Sequence, residues 1–429
     1  MLSAMSAARF RITAAGLAVA GLAVAGTVLA GPSALAATTP HTIVLDGAKL
    51  VAIRQQLAGT PSQQLTAAFT ALKKSADAAL TAGPWSVMDK KTTVSPDKHD
   101  YYSLATYFFP NPSTPDHCPY VHEDGRWGPD VATTGDLTAR ARAWQAISDL
   151  TLAWFYTGDA KYASRAELDI RTWFLNSATK MNPNMTFGQV VPCTTVGRKE
   201  GIIESSEAIT QVVDALAILD SGAPGWSSTD HSGMVAWLTK FLNWMRTSSL
   251  GKAESKATNN HGTFKDLQDA VLELYVGQTA TAKTLIQGVR TNRIAKQIKG
   301  DGSQPAELAR TRPWHYINFN AQALCRLAGA GRNVGVNLWA YKASNGATIA
   351  KAIDFMIPAA TKGESAWNRS DLDVFDQSIA SDKLHAAAEQ AGDTKAKAAL
   401  PKVPAPAGGD LWPVQPTCWI DLGEPPVQK

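Results

Sequence analysis

Residues 143–177 read AWQAISDLTLAWFYTGDAKYASRAELDIRTWFLNS, and their pattern predicts two helices that pack together. In the first half, apolar side chains recur at helical spacing, at Ala143, Ile147, Leu150 and Trp154. A second helix is predicted over 160–177, and only a short join around Gly158 separates the two. Because so short a join makes successive helices antiparallel neighbours, the stretch predicts a helical hairpin.

The same spacing recurs along the chain, which predicts an all-α fold. It returns at Ile202, Ile209, Val212, Leu216 and Leu219. Further helices are predicted over roughly 62–82, 231–247, 262–275, 279–294, 316–329, 346–357 and 377–392. Such hairpins either stack as an open solenoid or close into an incomplete α/α toroid. We find no strict repeat, and long irregular loops at 84–134 and 179–200 favour the toroid, with a cleft between its loops.

The amino-terminal segment predicts export. Arg9 and Arg11 precede an apolar run over 14–30, and the small-residue tripeptide at 34–36 completes the order of a signal peptide cleaved after residue 36. A membrane anchor is the alternative, but glycines interrupt the apolar run and a cleavage-type tripeptide ends it. We therefore expect a secreted protein, with no membrane segment after cleavage.

The net charge limits the classes of binding partner, and the chain length limits the number of domains. The formal net charge is +4, and cleavage after residue 36 removes two arginines and no acid, which leaves +2. Nothing in this balance indicates nucleic acid, so affinity for a polyanion must come from a local basic cleft. We expect a monomer with a single domain over 37–429 and an irregular tail from about residue 400.

The four cysteines indicate disulfides, since an exported chain meets an oxidising compartment. They are Cys118, Cys193, Cys325 and Cys418, for which three connectivities are possible. Cys118 and Cys193 both lie in loop-like contexts, which favours that pair. A zinc site is the competing interpretation, but no two cysteines have the close spacing that such sites use.

The densest group of metal-ligand types surrounds residue 120. It consists of Asp116, His117, His122, Glu123 and Asp124. The histidine spacing fits no zinc pattern, whereas loop carboxylates leave calcium as an alternative.

Two segments carry groups suited to chemistry. Residues 258–263 read TNNHGT and precede a predicted helix, so Asn260 and His261 stand at a helix start beside unpaired backbone N–H groups, where a carboxylate can be held. The alternative is an ordinary helix cap with a packed or exposed histidine.

The second segment, 301–316, reads DGSQPAELARTRPWHY. Its alternative interpretation is a surface salt bridge of Glu307 with Arg310 or Arg312. The tyrosine favours chemistry, because positive charge from Arg310 is expected to lower the pKa of Tyr316 and suit it to proton transfer. Elimination from a uronate chain needs such groups: a neutraliser for the carboxylate, a base for the C5 proton and an acid for the departing O4.

Several phrases resemble those of a known family. They are Tyr101-x-Ser103-Leu104-x-x-Tyr107 with 110–112, 181–184 with Gln189, 197–203, 259–263, and 301–311 followed by His315-Tyr316 and Phe319-Asn320. Spanning about 98–320 in family order, they resemble the alginate-lyase superfamily. The resemblance implies an incomplete α/α toroid, no obligatory metal or cofactor, and β-elimination on an acidic polysaccharide, alginate or a related polyuronate such as glucuronan.

The resemblance also implies residue roles. Asn260 would neutralise the substrate carboxylate, and His261 would share that task or act as a second base. Tyr316 would transfer the proton with Arg310 as its electrostatic partner, the Glu-Leu-x-Arg-Thr phrase favouring Arg310 over the neighbouring Arg312. The residues expected to contact the sugar are Gln189, Tyr107, Arg312, His315, Asn259 and Trp314.

Two rival functions remain open at this stage. A glycoside hydrolase on the same fold would need two carboxyl groups that face one cleft, such as Asp301 with Glu307 or Glu200 with Glu204. A protein that binds polysaccharide without cleaving it is the other, because a fold alone does not fix function.

Overall fold

The computed structural model describes residues 38–418, apart from the side chains at 206–208. The predicted signal segment at 1–36 lies outside the described residues. The α-helices are α1 (Gly47–Ala58), α2 (Gln63–Ala79), α3 (Leu137–Thr157), α4 (Ala160–Ile170), α5 (Ile202–Leu219), α6 (Ser228–Thr247), α7 (Ser249–Ser255), α8 (Asn260–Tyr275), α9 (Thr279–Val289), α10 (Ala295–Gln297), α11 (Pro305–Leu308), α12 (Pro313–Gly331), α13 (Ile349–Asp354), α14 (Ile357–Lys362), α15 (Ser381–Gln390) and α16 (Thr394–Ala399). The strands are β1 (Tyr102–Leu104), β2 (Phe108–Phe109), β3 (Val121–His122) and β4 (Phe187–Val190).

Four helices form an inner row, and the others cover it. Helix α3 packs against α5, α5 against α8, and α8 against α12. These helices are buried on nearly all sides, as expected of helices enclosed by neighbours. Helices α2 and α4 cover α3, α6 and α9 cover α8, and α15 covers α12. The architecture is an incomplete α/α toroid, as the sequence predicted.

The hairpin joins form as predicted. Gly158 ends α3 with a φ of 71°, and its N–H donates to the Trp154 carbonyl at 2.7 Å. Asp159 then caps α4 by accepting from the Lys161 N–H. Gly277, with a φ of 83°, lies between α8 and α9. A left-handed residue is needed at each of these turns, which is why glycine occupies them.

The first turns of the inner helices lie at one end of the toroid, where they meet the two long loops. These loops are largely irregular, as predicted, but they also contain the four short strands. β1 pairs with β4 in parallel, which joins the loop at 84–134 to the loop at 179–200. β2 and β3 form an antiparallel hairpin, with Phe108 opposite His122. The pairings place both loops above the inner-helix starts.

Two disulfides fasten the chain. Cys118, between β2 and β3, is bonded to Cys193, which follows β4; this is the pairing that the sequence favoured. Cys325 of α12 is bonded to Cys418. No helix in the described part of the chain combines the length and the apolar character needed to cross a membrane.

Candidate active site

A cleft of about 380 Å³ lies at the inner-helix starts. Its floor comes from the first turns of α3, α5, α8 and α12, and its walls come from the two long loops. The predicted site residues that line it are Tyr107, Gln189, Asn259, Asn260, His261, Arg310, Arg312, His315 and Tyr316. Residues far apart in sequence thus meet because every inner helix starts at the same end.

Tyr316 is the centre of a hydrogen-bonded group. Its hydroxyl lies 2.7 Å from the Tyr107 hydroxyl and accepts a hydrogen bond from Arg310 Nη2 at 2.7 Å. The Arg310 guanidinium also lies over the Tyr316 ring, 3.9 Å from its centroid. Two donors can therefore stabilise a negative charge on the Tyr316 oxygen at the moment when it gives up its proton.

Arg310 does act to lower the pKa of Tyr316, as expected, but the net shift in the free protein is upward. Burial, followed by the neighbouring Tyr107, raises the pKa of Tyr316 well above its usual value, although Arg310 and Arg312 oppose that shift. Tyr316 is only 4% exposed, so the loss of hydration outweighs the two cations. The hydroxyl is protonated at neutral pH, which suits it to donate a proton.

Arg310 is fixed by Asp124, which comes from the loop after β3. Arg310 Nη2 donates to Asp124 at 2.5 Å, and Arg310 Nε donates to the same carboxylate at 3.1 Å. Partial burial opposes ionisation of Asp124, but hydrogen bonds from Arg310 and Thr311 outweigh it and lower the Asp124 pKa. Asp124 is therefore charged near neutral pH and aims the guanidinium at Tyr316.

Asn260 is held by a buried acid, Glu307. The Asn260 backbone N–H donates to one Glu307 oxygen at 2.7 Å, and Asn260 Nδ2 donates to the other at 2.6 Å. Burial raises the pKa of Glu307, while these hydrogen bonds oppose the shift. The Asn260 Oδ1 has no hydrogen-bond partner among the described residues. The amide is thus fixed at the cleft; its oxygen can only accept, and the second N–H of Nδ2 is the donor left for a ligand.

Glu307 does not form the predicted alternative salt bridge. Arg310 pairs with Asp124, and Arg312 Nε donates to Asp373 at 2.6 Å, so each arginine has a carboxylate partner other than Glu307. Because Glu307 accepts from Asn260 instead, the surface salt-bridge interpretation of this segment is wrong.

His261 is also held by a carboxylate. Its Nδ1 lies 2.5 Å from Glu254 of α7, whose side chain is 1% exposed. The other Glu254 oxygen accepts from Lys199 Nζ at 3.4 Å. His261 is thus a partly buried histidine with its Nδ1 engaged, and its ring lies at the edge of the cleft.

Gln189 reaches the cleft through an unusual backbone. Its φ of 51° lies in the left-handed region, and its N–H donates to Ser103 Oγ at 2.8 Å. Ser103 in turn donates to the buried Glu204 at 2.6 Å. Non-glycine residues rarely adopt this conformation, and they do so mostly where the surrounding structure holds them for a function.

His315 and Asn259 also border the cleft. His315 stacks on Phe319 at a centroid distance of 5.4 Å. Burial and the nearby cations Arg312, Lys383 and Arg310 lower the pKa of His315 well below its usual value, so the ring is neutral. Asn259 immediately precedes α8, and its carbonyl accepts from Gln297 Nε2 at 3.1 Å.

Trp314 does not line the cleft, which corrects its predicted role in sugar binding. It is 2% exposed and packs against Phe375 and Trp367, at centroid distances of 4.8 and 5.1 Å. Its indole N–H donates to the Asp376 carbonyl at 2.7 Å. Trp314 is therefore a core residue on the opposite side of α12 from Tyr316.

The carboxyl pairs proposed for a hydrolase are engaged by neighbouring side chains, although Glu200 and Glu204 both line the cleft. Asp301 is exposed and accepts from Ser303 in a turn outside the cleft. Glu204 accepts from Tyr101 and Ser103. Glu200 lies within 3.3 Å of Arg198 and 3.1 Å of Lys199. Neither pair presents two unengaged acids to one cleft.

The candidate metal ligands near residue 120 also have separate partners within the protein. Asp124 binds Arg310, and Asp116 accepts from the Cys118 N–H at 3.1 Å. Within residues 38–418, no three histidine, cysteine or acidic side chains are arranged to hold a metal ion.

Comparison with known proteins agrees with this geometry. A model of the alginate lyase family matches residues 86–367, which is more than half of the chain and includes every residue that lines the cleft. The chain belongs to the alginate lyase family. It is therefore a polysaccharide lyase, and its family implies an acidic polysaccharide as substrate.

Solved structures resemble this lyase over most of their length. An alginate lyase from Bacteroides ovatus is 31% identical, with a TM-score of 0.82, over 87% of this chain and 99% of that chain. Alginate lyase A1-III from Sphingomonas species A1 is 15% identical, with a TM-score of 0.55, over 85% and 94% of the two chains. At that lower identity the likeness shows the fold alone. None of the curated proteins matches the lyase.

Proposed function

We propose that this lyase is secreted and cleaves alginate or a glucuronan-like polymer by β-elimination, leaving an unsaturated uronate at each new end. The observation that carries the proposal is the hydroxyl of Tyr316, protonated by its burial and hydrogen-bonded to Arg310, in the same cleft as Asn260 and His261. These are the acid, the neutraliser and the base that elimination requires.

In the proposed reaction, the sugar carboxylate binds at the start of α8. Asn260 donates the second N–H of its Nδ2, the first being given to Glu307, and this hydrogen bond lowers the energy of the anion formed when C5 loses its proton. His261 removes that proton. The C5–H electron pair becomes the C4=C5 double bond, and the C4–O4 bond breaks as O4 takes a proton from Tyr316. Arg310 and Tyr107 then stabilise the phenolate.

Secretion is supported by the order of basic, apolar and small residues over 1–36 and by the two disulfides. Cell fractionation would test this part of the proposal. Activity retained entirely inside the cell would contradict it.

The decisive test of the chemistry is Tyr316→Phe, which removes the hydroxyl and keeps the ring. Turnover is expected to fall by about 10²–10⁴-fold, with polymer binding nearly unchanged. Product formation is followed by the absorbance of the conjugated double bond on mannuronate blocks, guluronate blocks and glucuronan, and by product mass. A hydrolase would add water and give no such absorbance.

Tyr275→Phe is the matched control. The Tyr275 hydroxyl donates to Asp220 at 3.2 Å, outside the cleft, so its loss should leave turnover unchanged. Near-normal elimination by Tyr316→Phe would remove Tyr316 from the mechanism.

A further inference from the structure

The contact between Glu254 and His261 limits which nitrogen of the imidazole carries the proton. A neutral imidazole has one N–H donor and one acceptor nitrogen. An ionised carboxylate only accepts, so at 2.5 Å the hydrogen atom between the two groups belongs to His261 Nδ1. The lone pair is then on Nε2, and none of the residues described in 38–418 donates to that atom.

The Glu254 carboxylate is buried between two hydrogen-bond donors. One oxygen faces His261 and the other faces Lys199 Nζ at 3.4 Å, so two donors flank the carboxylate. Its side chain is 1% exposed, and a buried carboxylate needs such partners. Glu254 itself does not line the cleft, whereas His261 and Lys199 do. It therefore acts on the substrate only through its neighbours.

We propose that Glu254 is a positioning residue that makes His261 the base of the elimination. By holding Nδ1–H, it presents the Nε2 lone pair to the cleft, and it stabilises the imidazolium that forms when Nε2 takes the C5 proton. This inference rests on the proposed function and names the residue that sets the proton position on its base. Lys199, which lies 3.4 Å from the other Glu254 oxygen, helps to hold the carboxylate in place.

The alternative is a structural contact that only anchors α7 to α8. The two cases differ in their effect on the proton of His261, because an anchor has no preference for either tautomer. A second histidine–carboxylate pair offers a comparison. His231 Nδ1 lies 3.0 Å from Asp220, outside the cleft and more exposed.

The first experiment needs no substrate. Nitrogen-15 NMR of the imidazole side chains in the intact protein, with His261→Gln used to assign the signals, is expected to find Nε2 of His261 unprotonated at neutral pH. In Glu254→Gln, the amide can donate to Nδ1, and the population with a protonated Nε2 should rise. A protonated Nε2 in the wild-type protein would overturn the proposal.

The second experiment measures turnover against pH. Glu254→Gln is expected to lower kcat by at least about 10²-fold, with a smaller change in KM, because a carboxylate-to-amide change at such a pair favours the wrong tautomer. It should also move the acidic limb of the pH profile. Glu254→Asp, which restores the charge, should recover part of the rate. Asp220→Asn, the matched control, should leave both kcat and the pH profile unchanged.

These results separate the inference from the proposed function. If the wild-type protein forms unsaturated products and Glu254→Gln keeps its rate and pH profile, the role of Glu254 is refuted and the lyase chemistry stands. If the wild-type protein forms no unsaturated product from any uronate polymer, the proposed function fails, even where the tautomer is as expected.

Discussion

Asp124 determines which of two neighbouring arginines serves Tyr316. It binds Arg310 through both Nε and Nη2, whereas Arg312 is directed to Asp373. Of the two arginines, Arg310 is the one whose hydrogen bond to the Tyr316 hydroxyl the structure shows. The geometry therefore favours Arg310 as the electrostatic partner, the choice that the sequence phrase also favoured.

Asp124→Asn tests this assignment. The amide keeps the size of the side chain but loses the charge that holds Arg310, so kcat/KM should fall at least tenfold, in line with about 1.5–3 kcal/mol for a hydrogen bond to a charged group. Asp373→Asn, which releases Arg312, is the comparison and should have the smaller effect. The reverse order would indicate that Arg312 is the catalytic arginine. Steady-state kinetics on the preferred polymer measures both.

At the residue scale, the sequence identifies the candidate catalytic side chains but not the carboxylates that hydrogen-bond to them and fix their orientation. Asn260, His261, Arg310 and Tyr316 lie in two short segments with distinctive composition. Their holders, Asp124 and Glu307, are 186 and 47 residues away from their partners, and no local pattern links them. Glu254 lies only seven residues before His261, so the sequence did contain one signal for this contact, an acidic residue close to the histidine. The Tyr316 pKa was mispredicted because burial depends on packing.

Short elements, rather than the long helices, place the loop residues of the cleft. β4 carries Gln189 and crosses the segment before α5, where Gly188 and Gly201 touch. A Cβ on Gly201 would lie 2.5 Å from the Gly188 carbonyl carbon and 2.8 Å from its Cα. Backbone atoms cannot yield as a flexible side chain can, so only glycine permits this approach.

Gly201→Ala should therefore separate β4 from the start of α5 and displace Gln189. We expect a loss of about 1–3 kcal/mol in stability and a rise in KM, measured by thermal unfolding and kinetics. Gly288→Ala, within α9, is the control, since its Cβ would meet only Asn292 Nδ2 at 3.3 Å. Alanine favours a helix interior, so this variant should be at least as stable as the wild type. Equal behaviour of the two variants would contradict the role of the Gly188–Gly201 contact.

At the element scale, periodicity predicts the helices well and the strands poorly. Each predicted helical range contains a helix, and α12 begins at Pro313, earlier than predicted, because proline fits a first turn. The missed helices are α1, α7, α10, α11, α14 and α16; all of these except α1 have three to seven residues, too few for a clear period. The strands have two to four residues, and β1 pairs with β4 across the helices between them, so no local pattern shows them.

At the scale of the whole molecule, helix α15 connects the first helix, α1, to the irregular segment around residues 410–412. His385 of α15 lies 3.3 Å from Asp410 and also faces Glu389, while its ring stacks on Trp412. Glu389 in turn accepts from Lys49 of α1. Burial opposes protonation of His385, but the two carboxylates outweigh it and raise its pKa to about 9. The irregular tail is thus attached through a charged histidine.

This arrangement makes stability depend on pH. The folded-state pKa of His385 lies above the unfolded value of about 6.5, so its contribution is complete below pH ~6.5 and is lost as pH rises through about 9. We expect the free energy of unfolding to fall by on the order of 2 kcal/mol over that interval. In His385→Gln the decline should be much smaller. Thermal melts across the interval would test this, and parallel curves for the two proteins would refute it.

The common direction of the inner helices gives the toroid an electrical polarity that its net charge conceals. Each helix dipole places about half a positive charge at its amino end, and four such ends lie beneath the cleft. Because the four helices are parallel, their dipoles repel one another, and this repulsion destabilises the folded state. In return, a polyanion meets a positive pole whose strength does not depend on the titration of any side chain.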